Sequence, residues 1–268
     1  MPIRFIKDCP ALLISGTSKN KSTGKNSNRK VLVIADLHLG LEHELFKSGI
    51  VIAPQAERFQ KELAKLIDMT KADTLIILGD IKHKVPGVNF RDLKEIPKLL
   101  ESLVEKVKVI LVKGNHDDFI EQLVPKNVKV YDSRGFRIGK YGFFHGHAWP
   151  SKLLMQCDYL FMAHVHPGIE FKDSFGFRIV EPAWIKASLN EKLVRKKYKM
   201  KPNERLGNMQ TIMVPTFNPI LGGIALNKKK MSEYIGPLLT NKVFDVNDAT
   251  AYMLDGTDLG KIKKLKRI

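Results

Sequence analysis

Apolar residues along this chain fall into two regimes. Up to residue 112, short unbroken apolar runs alternate with segments of helical spacing. Val31–Ile34, Thr74–Leu78 and Val107–Val112 are compact runs bounded by polar or glycine residues, which predicts buried strands. Between the first two runs, Phe59, Leu63, Leu66 and Ile67 recur at helical spacing and predict a helix over Pro54–Met69, starting at Pro54 or Gln55. Phe90–Lys106 reads as another helix, bent or started afresh at Pro97. Strand, helix, strand, helix, strand is a βαβ-like order. Ala11–Ile14 adds a short strand before it, and the polar stretch Ser15–Lys30 is expected to be a mobile loop.

After Val130 the helical spacing gives way to short strands: Tyr141–Phe144, Tyr159–Met162, Gly168–Lys172 and Phe175–Val180. They predict a second, more antiparallel sheet. Lys186–Arg205 is dense in Lys and Arg against only Glu191 and Glu204, and reads as a basic insertion near 186–210. Gln210–Val214 resumes a strand, and Val214–Pro219 with Gly222-Gly223 is rich in turn residues. Periodicity alone therefore gives an α/β half followed by a mostly β half. At 268 residues the expectation is a single domain over 1–268.

Composition adds a charge and removes some classes. Lys and Arg number 45 against 28 Asp and Glu, a net charge of +17. Such an excess attracts polyanions; it also serves to keep a surface solvated. Cys9 and Cys157 are too few for a disulfide framework and read as buried small apolar residues. No apolar run has the length of a membrane span, and the N-terminus lacks the core of a secretory signal, so a cytoplasmic location is expected.

Five short polar motifs follow these strands: Asp36-Leu37-His38, Gly79-Asp80, Gly114-Asn115-His116-Asp117, His145-Gly146-His147 and His164-Val165-His166. They bring together Asp, Asn and His donors, a set suited to a two-metal hydrolytic centre. Asp36 and His38, two apart, share a face if the strand continues through them. Asp80 is the lone carboxylate of its motif, behind a glycine that allows close backbone approach, and is the natural bridge between two ions.

The order and spacing of these motifs resemble the calcineurin-like metallophosphoesterases over roughly residues 30–170. That family's pattern reads D-x-H, GD, GNH[DE], H and GHxH. Ala163 stands where most members have glycine before the first His of the last motif. The resemblance implies a four-layer α/β/β/α sandwich of two mixed β-sheets. It implies one ion held by Asp36, His38, Asp80 and His166, and a second held by Asp80, Asn115, His145 and His164. A hydroxide shared by the ions would attack phosphorus. His116 would stand beside the scissile phosphate as a catalytic residue, with Asp117 orienting it. Mn²⁺ is expected as the activating ion, with Fe, Ni, Co and Zn compatible. Ala35–Glu42, Gly49-Ile50, Pro54, His145–Pro150, His166-Pro167 and Pro215–Asn218 narrow the resemblance to an archaeal and bacterial branch that includes DNA-ligase- and helicase-associated members.

The expected activity is hydrolysis of phosphodiesters in nucleic acid or nucleotides, with DNA or RNA bound through basic segments 186–205 and 261–267, and Trp184 and Tyr198 near the first for stacking. Arg91 and Lys113 are further candidates for phosphate contact. A phosphomonoesterase or nucleotide phosphatase using the same ions, and a non-catalytic scaffold on the same fold, are the alternatives. For the basic stretch, the alternative is a solvated, partly disordered insertion, and for Trp184 it is a place in the core. His43, His83 and His147 lie close to the motifs without an assigned role.

Overall fold

The computed structural model describes residues 2–19 and 26–267. Its first sheet holds β1 (Ile3–Phe5), β2 (Leu12–Lys19), β3 (Asn26–Ala35), β4 (Thr74–Leu78), β5 (Lys108–Val112) and β6 (Lys129–Tyr131), in that spatial order. β3 to β6 run parallel, and β1–β2–β3 are antiparallel. Helix α1 (Leu41–Lys47) and helix α2 (Ala56–Thr70) fall between β3 and β4, and α3 (Asp92–Val104) falls between β4 and β5. Pro97 lies inside α3 without ending it.

The second sheet is built from β7 (Phe136–Ile138), β8 (Tyr141–Phe143), β9 (Tyr159–Met162), β10 (Pro167–Lys172), β11 (Arg178–Ser188), β12 (Gln210–Met213), β13 (Ile224–Ala225), β14 (Thr250–Met253) and β15 (Asp258–Lys261). Its pairs β8–β9, β9–β12 and β10–β13 are parallel and the others antiparallel, so both sheets are mixed. Helix α4 (Glu191–Tyr198) and helix α5 (Pro237–Thr240) belong to this half.

The alternation of side chains along a strand explains the layers. In the first sheet, Leu32, Ile34, Leu75, Ile77, Val109 and Leu111 face outward onto Phe59 and Leu63 of α2 and Leu99 and Leu103 of α3. Their neighbours Val33, Ile76, Leu78, Ile110 and Val112 face inward and meet Phe143, Phe161, Trp184 and Ile212 of the second sheet. Leu160, Met162, Ile185 and Met213 then face out the other side onto Val194 of α4 and Leu238 and Leu239 of α5. The result is the α/β/β/α sandwich. Strands covered on both faces must be apolar throughout, which is why they read as unbroken runs.

Three expectations are corrected. Where described, the stretch 15–30 is strand and not loop: β2 and β3 stay paired from Leu12↔Val33 out to Lys19↔Asn26, and residues 20–25 lie outside the described residues. A ladder is held by backbone hydrogen bonds, which Ser, Thr and Asn make as well as Val does, so no apolar period marks it. The basic stretch is likewise ordered: Lys186 belongs to β11, and Asn190 caps α4 by accepting from Leu193 N (3.2 Å). Trp184 is fully buried between the sheets, stacked on Phe5 with ring centroids 4.4 Å apart, which removes it as a base-stacking surface. Tyr198 is half-buried against the core of the second half, its hydroxyl donating to Pro150 O (2.6 Å).

Candidate metal centre

Each polar motif begins where a strand stops. β3 ends at Ala35, β4 at Leu78, β5 at Val112, β8 at Phe143 and β9 at Met162, so five tips converge on one edge of the sandwich. The chain does not continue extended through Asp36-Leu37-His38. Asp36, His38, Asp80, His164 and His166 all have left-handed backbone, with φ of 54°, 44°, 46°, 69° and 46°. Such a conformation costs a non-glycine residue about 1–3 kcal/mol, and strained residues of this kind cluster at functional sites. The left-handed turns, rather than strand alternation, bring Asp36 and His38 to the same place.

Neighbouring backbone holds these turns. His38 N donates to Asp80 O and Leu39 N to Ile81 O, both at 2.8 Å. From the late turn-rich segment, Phe217 N donates to Ala35 O (2.8 Å), Thr216 Oγ1 to Asp36 O (2.9 Å) and Asn218 Nδ2 to Leu37 O (2.8 Å). Residues 216–218 thus clamp the first motif from about 180 residues away. Two glycines are required by space: a Cβ at Gly79 would lie 2.3 Å from His145 Nδ1, and one at Gly114 would lie 2.0 Å from Asp80 Oδ1.

Among the described residues three triads could hold a metal at this edge: His38, His83 and His116 form one, and the other two contain a carboxylate. Asp36, His38 and His166 can offer ligand atoms that all lie within 4.8 Å of one another, and so can Asp80, His145 and His164. Asp80 lies between these two triads: its Oδ2 is 3.4 Å from His38 Nε2 and 3.3 Å from His145 Nε2. Asn115 Oδ1 is 3.3 Å from His145 Nε2. All seven residues expected as ligands are therefore gathered together.

Fixed hydrogen bonds orient the rings. His145 Nδ1–H donates to Leu78 O (2.8 Å), which turns Nε2 toward Asp80 and Asn115. Burial pulls the His145 pKa down, but the carboxylates of Asp80 and Asp36 outweigh it and raise the pKa to about 9. Burial would raise the Asp80 pKa, yet His145 above all drives it well below the usual carboxylate range. His38 and His164 go the other way: burial first, then neighbouring histidines, hold them at about 2 and about 3, so both are neutral imidazoles.

The buried atoms Asp36 Oδ1, His38 Nε2 and His166 Nε2 have no hydrogen-bond partner. Leaving such atoms unpaired is costly, and a divalent cation satisfies them together. Carboxylate with neutral imidazole suits Mn, Fe, Ni, Co or Zn. The residues present fit a metal.

Around the triads, some expectations shift. His116 stands beside them, its ring centroid 4.7 Å from that of His38, with Nδ1–H donating to His83 O (2.5 Å) and its backbone N to Asp80 Oδ1 (2.8 Å). Asp117 does not orient the His116 ring. It is fully buried, and its carboxylate accepts from Ile81 N (2.9 Å) and Gly114 N (2.8 Å), stapling the second motif to the third. Burial, with Asp80 nearby, raises its pKa to about 6. His83 is one of the three histidines that sequence reasoning leaves without a role. It carries the carbonyl that fixes His116, sets Nδ1 3.2 Å from His38 Nδ1, and stacks on His116. Its place three residues after Asp80 is the available signal. His147 lies next to His145 and His164, with ring centroids 5.2 and 5.9 Å away. His43 sits on α1 and pairs with Arg91, and Lys113 pairs with Glu121 (2.6 Å).

Buried Asp and His donors at the strand tips of a two-sheet sandwich make a centre fit to hold metal. The sequence profile of the calcineurin-like phosphoesterases matches residues 29–252, and the chain belongs to that family, whose members hydrolyse phosphoester bonds. The nuclease MPE of Pseudomonas putida has a similar fold, with a TM-score of 0.50 and 16% sequence identity over 92% of this chain and 100% of that one. No curated protein matches the sequence. Among the described residues, no helix is long and apolar enough to cross a membrane.

Proposed function

We propose that this phosphoesterase is a dinuclear-metal phosphodiesterase acting on nucleic acid or nucleotides. The observation that carries the reading is the position of Asp80, whose Oδ2 lies within 3.4 Å of histidines from two separate triads. A carboxylate so placed suits a bridge between two ions. Asp36, His38 and His166 would hold one ion, and His145, His164 and Asn115 the other. When bound, such ions supply a nucleophile from water at neutral pH and offset the charge that grows on the phosphoryl oxygens.

The chain's own groups do the rest. With Nδ1–H committed to His83, His116 has Nε2 left to hold a proton for the leaving oxygen. The hydrogen bond from His116 N to Asp80 Oδ1 keeps the Asp80 carboxylate in one orientation. The net charge of +17 favours a polyanionic substrate. Helix α4 adds exposed Lys192, Lys196 and Lys197, the last over the ring of Trp149 at 4.2 Å, two residues beyond His147. The P. putida protein named as a nuclease shares the fold, in keeping with such a substrate.

The test is hydrolysis of a chromogenic phosphodiester with Mn²⁺, compared with the matching monoester. Diester turnover is expected to exceed monoester turnover. His116→Ala should lower kcat by about 10²–10⁴-fold, and Asp80→Asn should also remove ion binding, both with an unchanged far-ultraviolet circular dichroism spectrum. Absence of turnover with every divalent ion tried would overturn the reading.

A further inference from the structure

The β10–β11 hairpin stands out beyond the metal centre. β9 runs up to the centre and ends at Met162, in a rung with Met213 and Ile185. β10 has the same direction as β9, because it is antiparallel to β11, which is antiparallel to β12, which is parallel to β9. Its rung Gly168↔Pro182 already lies three residues past Ile185, and the last rung, Lys172↔Arg178, lies four further out. At ~3.3 Å per residue the arm reaches roughly 23 Å beyond the end of β9. It starts at Pro167, directly after His166.

The arm displays large apolar side chains to water. Phe175 is 96% exposed, Phe177 68% and Ile179 47%. Its tip is fixed by hydrogen bonds: Asp173 Oδ1 accepts from both Phe175 N and Phe177 N at 2.9 Å, and Asp173 N donates to Phe177 O (3.0 Å). The base is pinned by buried Asn227, which exchanges two 2.9 Å hydrogen bonds with the Glu170 backbone and donates to Leu265 O (3.1 Å). Lysines follow that pin at 228–230 and precede Leu265 at 263–264; Lys229 donates to Glu233 O (3.0 Å) and Lys263 pairs with Asp248 (2.7 Å). Of the arm's anions, Glu170 pairs with Arg178 (3.1 Å) and Asp173 holds the turn, while Glu181 sits near the base on the rung with Ile169.

We propose that this hairpin is a base-stacking arm for a single-stranded nucleic acid whose backbone runs from the metal centre, with Phe175 and Phe177 as the stacking faces. The proposal rests on the nucleic-acid reading above. Preset aromatic faces at the tip of an arm with lysines at its base suit a strand of flat bases on an anionic backbone. A second copy of this chain would bring its own +17 against the same surface.

The experiment measures binding of labelled phosphorothioate strands of about 20 nucleotides, a length that spans more than one typical site, with Mn²⁺ present. DNA, RNA and an abasic strand are compared. Phe175→Ala with Phe177→Ala should weaken strands that carry bases by at least about 10-fold, leave chromogenic diester turnover unchanged, and leave the abasic strand unaffected. Phe175→Trp with Phe177→Trp should bind such strands at least as well as wild type. Equal loss on DNA and RNA assigns the arm to bases in general, and loss on one alone assigns it to that nucleic acid. If the alanine pair binds strands like wild type, or wild type holds the abasic strand equally well, the proposal falls and the arm is a protein contact. Wild type that turns over the diester but binds no strand sinks the arm alone, whereas wild type without diester turnover sinks the reading beneath it as well.

Discussion

A methyl group added at Gly79 has nowhere to go. It meets the ring of His145, and at φ +73° the backbone itself resists a side chain. Gly79→Ala should therefore destabilise the protein by about 2–5 kcal/mol from left-handed strain and overpacking together, read from urea unfolding, and weaken ion binding because His145 must move. Unchanged stability would show that the close approach relaxes freely. His145 sets a second expectation. Its pKa is raised from 6.5 to about 9, with Asp80 and Asp36 outweighing burial. The stabilisation from that charged pairing is full below pH 6.5 and is lost as pH rises through about 9. An ion at Nε2 requires the proton to leave, so Mn²⁺ affinity should rise with pH across the same window, with about one proton released on binding near pH 7. Calorimetry in buffers of different ionisation enthalpy measures that proton, and enthalpies independent of buffer would refute it.

Helix α4 shows how an element changes what its charges can do. Arg195 pairs with Glu191 (2.8 Å) and donates to the carbonyls of Lys201 and Glu204, so it fastens the helix to the following turn. Lys192, Lys196 and Lys199 are exposed and better placed to meet a phosphate backbone. Replacing these three by Gln should flatten the salt dependence of strand binding, by about 0.7–0.9 in log–log slope for each phosphate they neutralise. Arg195→Gln should act chiefly on helix stability. An unchanged slope would mark the lysines as solvated charge alone. Sequence does not make this distinction, because it gives the density of positive residues and not which of them are spent on carbonyl groups. The helix itself is hard to read from the chain: a short, strongly basic segment with one buried residue, Val194, offers few apolar positions from which to set its bounds. The central strands are the opposite case. Thr74–Leu78 is bounded in the fold as the apolar run bounds it, because burial on both faces leaves no polar position to blur the ends.

Across the whole molecule, the motifs are readable because ligand chemistry restricts residue type, whereas their supports are not. Thr216 and Asn218 act through ordinary hydrogen bonds over a separation of about 180 residues, and Asp117 acts as a staple although its place in a histidine motif suggests acid–base work. Such roles depend on which backbone groups are left unpaired, and only the fold decides that. The division of the proposed ligands between the two sheets also bears on mechanics. Asp36, His38, Asp80 and Asn115 hang from one sheet, while His145, His164 and His166 hang from the other. An ion seated among them is a rivet through two plates. Stripping it with a chelator should let the seam breathe, so that amide exchange quickens on both sides together, around Asp80 and around Ala163; quickening confined to one side would mean that the layers are fastened without it.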